Sequence, residues 1–171
     1  RQILFTVDDI GMNKAQAAAN RLKQLNNTIQ YDVYAERLTT KNALRIFEQF
    51  DLIIDGTDNF STRYLVNDAS ILTNKPLVYG SIYKFEGQLS VFNYKEGPSY
   101  RCLFPTPPAP GSVQNCSEIG VLGVLPGTIG TQMANEAIKL ILNIGELLSG
   151  KFLIYNALDV TYTKLSIERS Q

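Results

Sequence analysis

The stretch from residue 51 to residue 63, DLIIDGTDNFSTR, concentrates polar residues that could do chemistry. Its apolar run at 52–54 is flanked by charge and too short for a helix, which predicts a buried parallel strand. Turn-forming residues at 55–59 then end the strand. Ligands of open α/β sheets bind just outside the carboxyl ends of such strands, so Asp58 stands where it could bind one. A solvated turn aspartate is the alternative, and the motif by itself leaves both open.

The composition excludes several classes of chemistry. The chain has no histidine, which removes Ser-His-Asp and Cys-His catalysis and histidine-ligated metals. Lys+Arg and Asp+Glu number 16 each, which argues against nucleic-acid binding and against a polybasic membrane protein. The apolar region 120–144 is broken by polar residues, so we do not expect it to span a membrane. Two cysteines without a CxxC motif fit a reducing cytoplasm better than a secreted domain.

The familiar nucleotide-binding loops are missing from the sequence. The chain begins with Arg1, and it contains neither G-x-G-x-x-G nor G-x-x-x-x-G-K-[ST]. Either the chain is a fragment of a longer protein, or it binds no nucleotide through those loops.

The pattern of helices and strands predicts an α/β fold. Asn13 is a plausible N-cap for a helix over 14–25, which places Lys14 in the first helical turn; a solvated helix lysine is the alternative. Strands alternating with helices in the first half favour a parallel sheet, with strands expected at 28–38, 52–54 and 77–81 and helices at 40–49 and 61–72. After Ile82 the alternation changes to an antiparallel pattern with a break at Glu86-Gly87, and two strands, 151–158 and 162–168, close the chain with a turn near Asp159.

A proline-rich segment and a glycine-rich helix flank the second cysteine. Residues 104–114 hold four prolines and cannot form a helix or a central strand. A loop of this length is usually functional or mobile. Residues 121–144 begin glycine-rich and continue as a clear helix. Cys116 lies between them, where a helix N-terminus would lower the thiol pKa; an inert buried thiol is the default.

Taken together, the motifs resemble those of one family. They occur in one order, as Arg1-Gln2, GMNKA around Lys14, DGTDN with Arg63 four residues beyond Asn59, YGSIYKFEGQLSVF, SYRCLFP, NCSEIGVLGVLPGTIGTQMANEAIKLI and GKFLIYNAL. This series closely resembles the bacterial ThiF/MoeB/HesA-type adenylyltransferases, which activate ubiquitin-like sulfur-carrier proteins. These enzymes are relatives of the ubiquitin-activating enzymes. The resemblance covers essentially the whole chain. It implies one adenylation domain over 1–171, with a Rossmann-like parallel sheet that continues into antiparallel strands and helices on both faces.

The resemblance also implies a reaction, its cofactors and its partner. The C-terminal glycine carboxylate of a carrier ending in Gly-Gly would attack the α-phosphorus of ATP. Asp58 would hold Mg²⁺, while Arg1 and Lys14 would contact phosphates and Asn59 the nucleotide or another ligand. Arg63 is expected to brace the Asp58 turn rather than touch substrate, and Cys116 matches a cysteine that some relatives acylate.

Further implications concern the loop, the assembly and the departures from the family pattern. Residues 104–114 correspond to a crossover loop under which the carrier tail threads, and we expect it to be poorly ordered without the carrier. A homodimer is expected, with region 120–144 and the sheet edges as contacts. The family's glycine-rich loop is absent, which suggests a truncated domain, and the incomplete pair Ser99-x-x-Cys102 predicts no structural zinc. A non-catalytic carrier-binding or dimerisation scaffold is the main alternative, and an NAD(P)-binding domain is disfavoured.

Overall fold

The computed structural model describes residues 2–109 and 120–170. The chain divides into two compact units, residues 1–38 and residues 39–171. The predicted sites Arg1 and Cys116, together with residues 110–114 of the predicted crossover loop, lie outside the described residues.

The first unit is built around one capped helix, α1, at Lys14–Leu25. The Asn13 Oδ1 atom accepts hydrogen bonds from the backbone N–H groups of Ala15 and Gln16, at 3.0 and 3.4 Å, so the predicted N-cap is confirmed. A 3₁₀ turn at Val7–Asp9 precedes it.

The predicted strand at 28–38 is wrong, because this segment is irregular. All five strands of the sheet fall between residues 53 and 166. The Tyr31 hydroxyl instead turns back to the end of α1, lying 2.9 Å from the Asn26 carbonyl oxygen and 3.3 Å from that of Leu22. Residues that favour strands need a neighbouring strand to pair with, and this segment has none in the described chain.

The second unit is a five-stranded mixed sheet with helices. The strands run in the order β1-β2-β3-β4-β5; β1 and β2 are parallel, and every later pair is antiparallel. The predicted change from parallel to antiparallel pairing is therefore confirmed. The elements are α2 (Ala43–Phe47), β1 (Ile53–Asp55), α3 (Phe60–Leu72), β2 (Leu77–Tyr83), β3 (Glu86–Phe92), α4 (Tyr100–Leu103), α5 (Leu125–Leu142), β4 (Lys151–Asn156) and β5 (Thr161–Ser166).

The β2–β3 hairpin breaks two residues earlier than predicted. Lys84 takes a positive φ of 51° at the turn, and Gly87 lies inside β3, paired with Ile82. A Cβ atom at Gly87 would collide with the Ile129 side chain, and one at Gly80 would collide with Met133. The glycine that resembles a turn signal in the sequence is therefore a point of close helix–sheet approach.

Helices cover both faces of the sheet. Helix α5 packs on one face, in a core that includes Val78, Leu89, Val91, Ile129 and Met133. The opposite face is aromatic, and α3 and α4 add rings to it: its members are Tyr64, Tyr79, Phe92, Tyr100, Phe104 and Phe152.

None of the helices within residues 2–109 and 120–170 combines the length and the apolar character that crossing a bilayer requires.

The close approach of α5 at Gly87 can be tested by adding one methyl group. We expect Gly87→Ala to lower the free energy of unfolding by about 1–3 kcal/mol, since Ile129 must leave its packed position. Gly56→Ala is the matched control, because a Cβ there meets nothing within 4 Å and a Gly→Ala change at a compatible backbone position stabilises by about 0.4–1 kcal/mol. Urea unfolding measures both, and an unchanged midpoint for Gly87→Ala would contradict the packing.

Candidate functional site

The Asp58 turn joins the carboxyl end of β1 to the start of α3. Asp58 is exposed and immediately precedes Asn59, the N-cap of α3. The Asn59 Oδ1 atom accepts from the Thr62 backbone N–H and from the Ser61 hydroxyl, both at 2.9 Å. The cap fixes where the helix begins, so the exposed Asp58 carboxylate follows the end of a parallel strand, as predicted. The predicted burial of that strand is wrong, because Ile54 is 52% exposed.

Both peptide groups of Thr57 are held by buried charged side chains. The Asp55 Oδ1 atom accepts from the Thr57 N–H at 2.8 Å, and the Arg63 Nη2 atom donates to the Thr57 carbonyl oxygen at 2.9 Å. Asp55 is 2% exposed and Arg63 is 8% exposed. The path of the chain into Asp58 is therefore set from both sides, and the expected bracing of the turn by Arg63 is observed.

Arg63 is charged although it is buried. Its guanidinium lies 5.2 Å from the Tyr79 ring centroid and 5.5 Å from that of Phe60. Burial alone would lower the Arg63 pKa, but the neighbouring Tyr79, Tyr100 and Asp55 outweigh it and raise that pKa above its ordinary value. The brace on Thr57 is a charge-assisted hydrogen bond, which is stronger than one between neutral groups.

Three polar atoms beside the turn are buried and have no hydrogen-bond partner in the described part of the chain. They are Asp55 Oδ2, Thr57 Oγ1 and Arg63 Nε. Buried polar atoms are normally satisfied, and an exception calls for a specific explanation, of which a catalytic role is one. The sequence analysis gave Asp55 no role, although a carboxylate at the end of a predicted strand is itself a signal.

The donor set at the turn fits Mg²⁺ held partly by substrate. Mg²⁺ prefers oxygen ligands and usually binds one or two carboxylates together with substrate phosphates and water. Asp58 supplies an exposed carboxylate of this kind. No group of three His, Cys, Asp or Glu residues able to hold a metal occurs in residues 2–109 and 120–170.

Asp58 and Asn59 are consecutive residues of the second unit, at the start of α3. Lys14 is the first residue of α1 in the first unit and is exposed. Arg1 and Cys116 lie outside the described residues.

The described cysteine, Cys102, stabilises the start of α4. Its Sγ atom accepts from the backbone N–H groups of Ser99, at 3.3 Å, and Ser170, at 3.4 Å. Partial burial would raise the thiol pKa, but the hydrogen bonds from Ser170 and Ser99 lower it to about 7. The folded chain therefore favours the thiolate form of Cys102.

The brace on Thr57 predicts that Lys cannot replace Arg63. We expect Arg63→Lys to lower the free energy of unfolding by about 1.5–3 kcal/mol, because the charge stays buried while the planar guanidinium fork is lost. Arg169→Lys is the control, since Arg169 also donates to a carbonyl oxygen, that of Glu96, but at the surface; we expect a change within about 0.5 kcal/mol. Equal effects in chemical denaturation would contradict the role of burial.

The Cys102 environment predicts early ionisation. In a Cys116→Ser chain, the rate of alkylation by iodoacetamide should rise with pH through about 7, since the thiolate is the reacting form. In urea the same rate should rise near the unperturbed value of about 8.5. Identical pH profiles in the two conditions would show that the folded chain does not stabilise the thiolate.

Known proteins with similar sequences identify the family of this chain. The ThiF family model matches residues 1–171. The chain is 50% identical over 175 residues to the sulfur carrier protein adenylyltransferase of Thermus thermophilus, covering 99% of this chain and 65% of that protein. It is 48% identical over 174 residues to the probable adenylyltransferase/sulfurtransferase MoeZ of Mycobacterium tuberculosis, covering 99% of this chain and 44% of that protein. The chain thus spans about half to two thirds of these two relatives.

A solved structure agrees in fold. The crystal structure of Escherichia coli MccB with ATP superposes with a TM-score of 0.84 at 18% identity, covering 99% of this chain and 53% of that one. At this identity the likeness concerns the fold alone. Because the ThiF family model matches residues 1–171 of this chain, the chain belongs to the ThiF family.

Proposed function

We propose that the protein containing this chain uses ATP to adenylylate the C-terminal glycine carboxylate of a ubiquitin-like sulfur-carrier protein, in a pathway of the thiamin or molybdopterin type. The observation that carries the proposal is the exposed Asp58 carboxylate, held at the end of β1 by two buried charges. Support comes from membership of the ThiF family and from a relative, 50% identical, that is named a sulfur carrier protein adenylyltransferase.

The proposed reaction suits a chain without histidine. The carrier carboxylate attacks the α-phosphorus of ATP, the bond to the bridging oxygen breaks, and pyrophosphate leaves with the electron pair. A carboxylate is already ionised near neutral pH, so no general base is required. The protein's task is to position the two reactants and to balance the negative charge of the phosphates.

The predicted residues divide this task. Asp58 would hold Mg²⁺, which when bound supplies positive charge beside the phosphate oxygens. Lys14 and Arg1 would balance the charge of the departing pyrophosphate, Lys14 as a point charge and Arg1 as a planar fork. The Asn59 Oδ1 atom already caps α3, so a contact from Asn59 to the nucleotide would use its Nδ2 donor.

Two further parts of the sequence belong to this proposal. The Cys116 thiolate would attack the carbonyl carbon of the carrier acyl-adenylate, so that a thioester forms and AMP leaves. Residues 104–114 would cross over the carrier tail, within a single adenylation domain spanning residues 1–171. The described part, 104–109, contains neither helix nor strand, which suits a segment that spans a groove.

We also propose a cytoplasmic homodimer for the intact protein. The outer side of α5 carries glycines that meet nothing within 4 Å, Gly127 and Gly130, and exposed apolar side chains, among them Val124, Ile138 and Ile141. Small residues allow a second copy to approach closely, and exposed apolar residues at helical spacing favour burial in an interface.

The test is ATP–pyrophosphate exchange by the full-length protein with a carrier that ends in Gly-Gly. We expect Asp58→Ala to reduce the exchange rate by about 100-fold or more, because the metal-binding carboxylate is removed. Asp51→Ala is the matched control, since Asp51 is an exposed carboxylate at the other end of the same strand; its rate should stay within about two-fold.

The outcomes separate the proposed enzyme from the alternative. Undiminished exchange by Asp58→Ala would refute the role of Asp58. Carrier binding without any exchange by the wild-type protein would instead favour the non-catalytic scaffold.

A further inference from the structure

The face of the sheet opposite α5 is covered along only part of its length. The aromatic rings that α3 and α4 cover extend along β2 as far as Tyr79. Side chains two and four residues further along β2 point to the same face, together with their partners on β3. These residues are Ser81, Tyr83, Gln88 and Glu86, each half-buried or exposed. We call this accessible polar stretch the open row.

The open row begins level with the Asp58 turn. Asp55, the last residue of β1, is paired with Tyr79, so Ser81 lies two residues beyond the end of β1. Ser81 is paired in turn with Gln88 on β3. Neighbouring strands are about 4.8 Å apart, which places the β3 backbone about 10 Å from the line of β1. Ligands of α/β sheets bind at this end of the parallel strands, so Gln88 lies beside the expected position of substrate.

The orientation of the Gln88 amide is set by a buried hydroxyl. Tyr79 is 1% exposed, and burial raises its pKa above the ordinary value, so the phenol is protonated and can donate. Its hydroxyl lies 3.1 Å from the Gln88 Oε1 atom. Because Oε1 accepts this bond, Nε2 is turned away from Tyr79, and it donates to no group in residues 2–109 and 120–170. The chain thus presents one oriented, neutral donor on the open row.

The same Tyr79 ring supports the brace on the Asp58 turn. Its centroid lies 5.2 Å from the Arg63 guanidinium, which donates to the Thr57 carbonyl oxygen. One buried ring therefore contacts both the group that sets the path of the turn and the group that orients Gln88. The exposed Asp58 carboxylate and the free amide donor are thereby tied to a common support.

We infer that Gln88 is a catalytic residue, whose Nε2 atom donates a hydrogen bond to an anionic oxygen of the carrier carboxylate or of the α-phosphate of ATP. The inference rests on the proposed function and deepens it. A neutral amide suits this task, since it orients an oxyanion without neutralising its charge. The attacking carboxylate therefore keeps its electron pair, and no proton is transferred. If water alone occupied this donor, changing Gln88 would leave the reaction unaffected.

The experiment exchanges the donor for an acceptor in the full-length protein. Gln88→Glu keeps the shape of the side chain and an oxygen for the Tyr79 hydroxyl, but it replaces Nε2 by an anionic oxygen. Gln132→Glu is the matched control, since the Gln132 Nε2 atom on α5 lies 3.0 Å from the Tyr162 hydroxyl on β5. It adds the same charge away from the open row. Gln88→Leu is a second variant, which removes the donor without adding charge.

Two measurements are made on each variant. ATP–pyrophosphate exchange with a carrier that ends in Gly-Gly gives kcat and the KM values for carrier and for ATP. Equilibrium binding of an α,β-methylene analogue of ATP, with Mg²⁺ and without carrier, shows whether Gln88 contacts the nucleotide by itself. The thermal midpoint shows whether each variant remains folded.

We expect kcat/KM for the carrier to fall about 10- to 100-fold in both Gln88 variants, the effect of one hydrogen bond to a charged group. Gln88→Glu should lose at least as much as Gln88→Leu, whereas Gln132→Glu should stay within about two-fold of the wild type. Weaker binding of the analogue would identify the α-phosphate as the acceptor. Unchanged binding of the analogue would identify the carrier carboxylate.

The outcomes distinguish the inference from the proposal beneath it. Exchange within about two-fold of the wild type in folded Gln88 variants would overturn the role of Gln88 and leave the proposed function standing. An equal loss in Gln132→Glu would overturn it as well, because added charge alone would then explain the effect. Wild-type protein that exchanges no pyrophosphate would contradict the proposed function, and the inference would fall with it.

Discussion

Two hydrogen bonds at Thr57 are the constraint on which the site depends: its N–H donates to the Asp55 carboxylate, and its carbonyl oxygen accepts from the Arg63 guanidinium. Burying a charge is costly unless it is paired or hydrogen-bonded. Here two opposite charges are buried near one turn, and each is partly satisfied by the backbone of the same residue. A different path for the turn would leave both charges without these bonds. The observed path of the chain into Asp58 is therefore favoured, because any other path would lose these two hydrogen bonds.

Helix α3 extends this constraint to the rest of the site. Its cap, Asn59, follows Asp58 directly, and Arg63 reaches back to the turn from the first helical turn. The next residues, Tyr64, Asn67 and Asp68, reach in the other direction to α4 and the segment after it. One helix of 13 residues thus ties a potential metal-binding carboxylate to the start of a proline-rich segment. Sites on regular elements are held more exactly than sites built from loops alone.

The other face of the sheet shows how the scaffold stays rigid. Gly80 on β2 and Gly87 on β3 leave room for the Met133 and Ile129 side chains of α5. Strand β2 is parallel to β1 on one side and antiparallel to β3 on the other. It is therefore the junction between the half of the sheet that presents Asp58 and the half that packs under α5. Dense packing of this kind transmits strain rather than absorbing it.

The sequence by itself determined the features that arise within a few residues. Asn13 and Asn59 cap helices where expected, since a side-chain oxygen needs only the next turn of backbone. The strand leading to Asp58 was readable from its short apolar run and the turn formers after it. The order of motifs was also enough to predict the family, although the chain contains no glycine-rich nucleotide loop.

Only the tertiary structure decided the features that need a distant partner. Residues 28–38 favour a strand, but a strand forms only beside another strand. Gly87 is read as a turn until Ile129 is seen to occupy the space of its missing side chain. Tyr64 and Phe104 are 40 residues apart in the chain, and the ion pair between Asp68 and Arg101 spans 33. Local patterns carry no information about such contacts, because each side chain is compatible with many partners until the fold selects one.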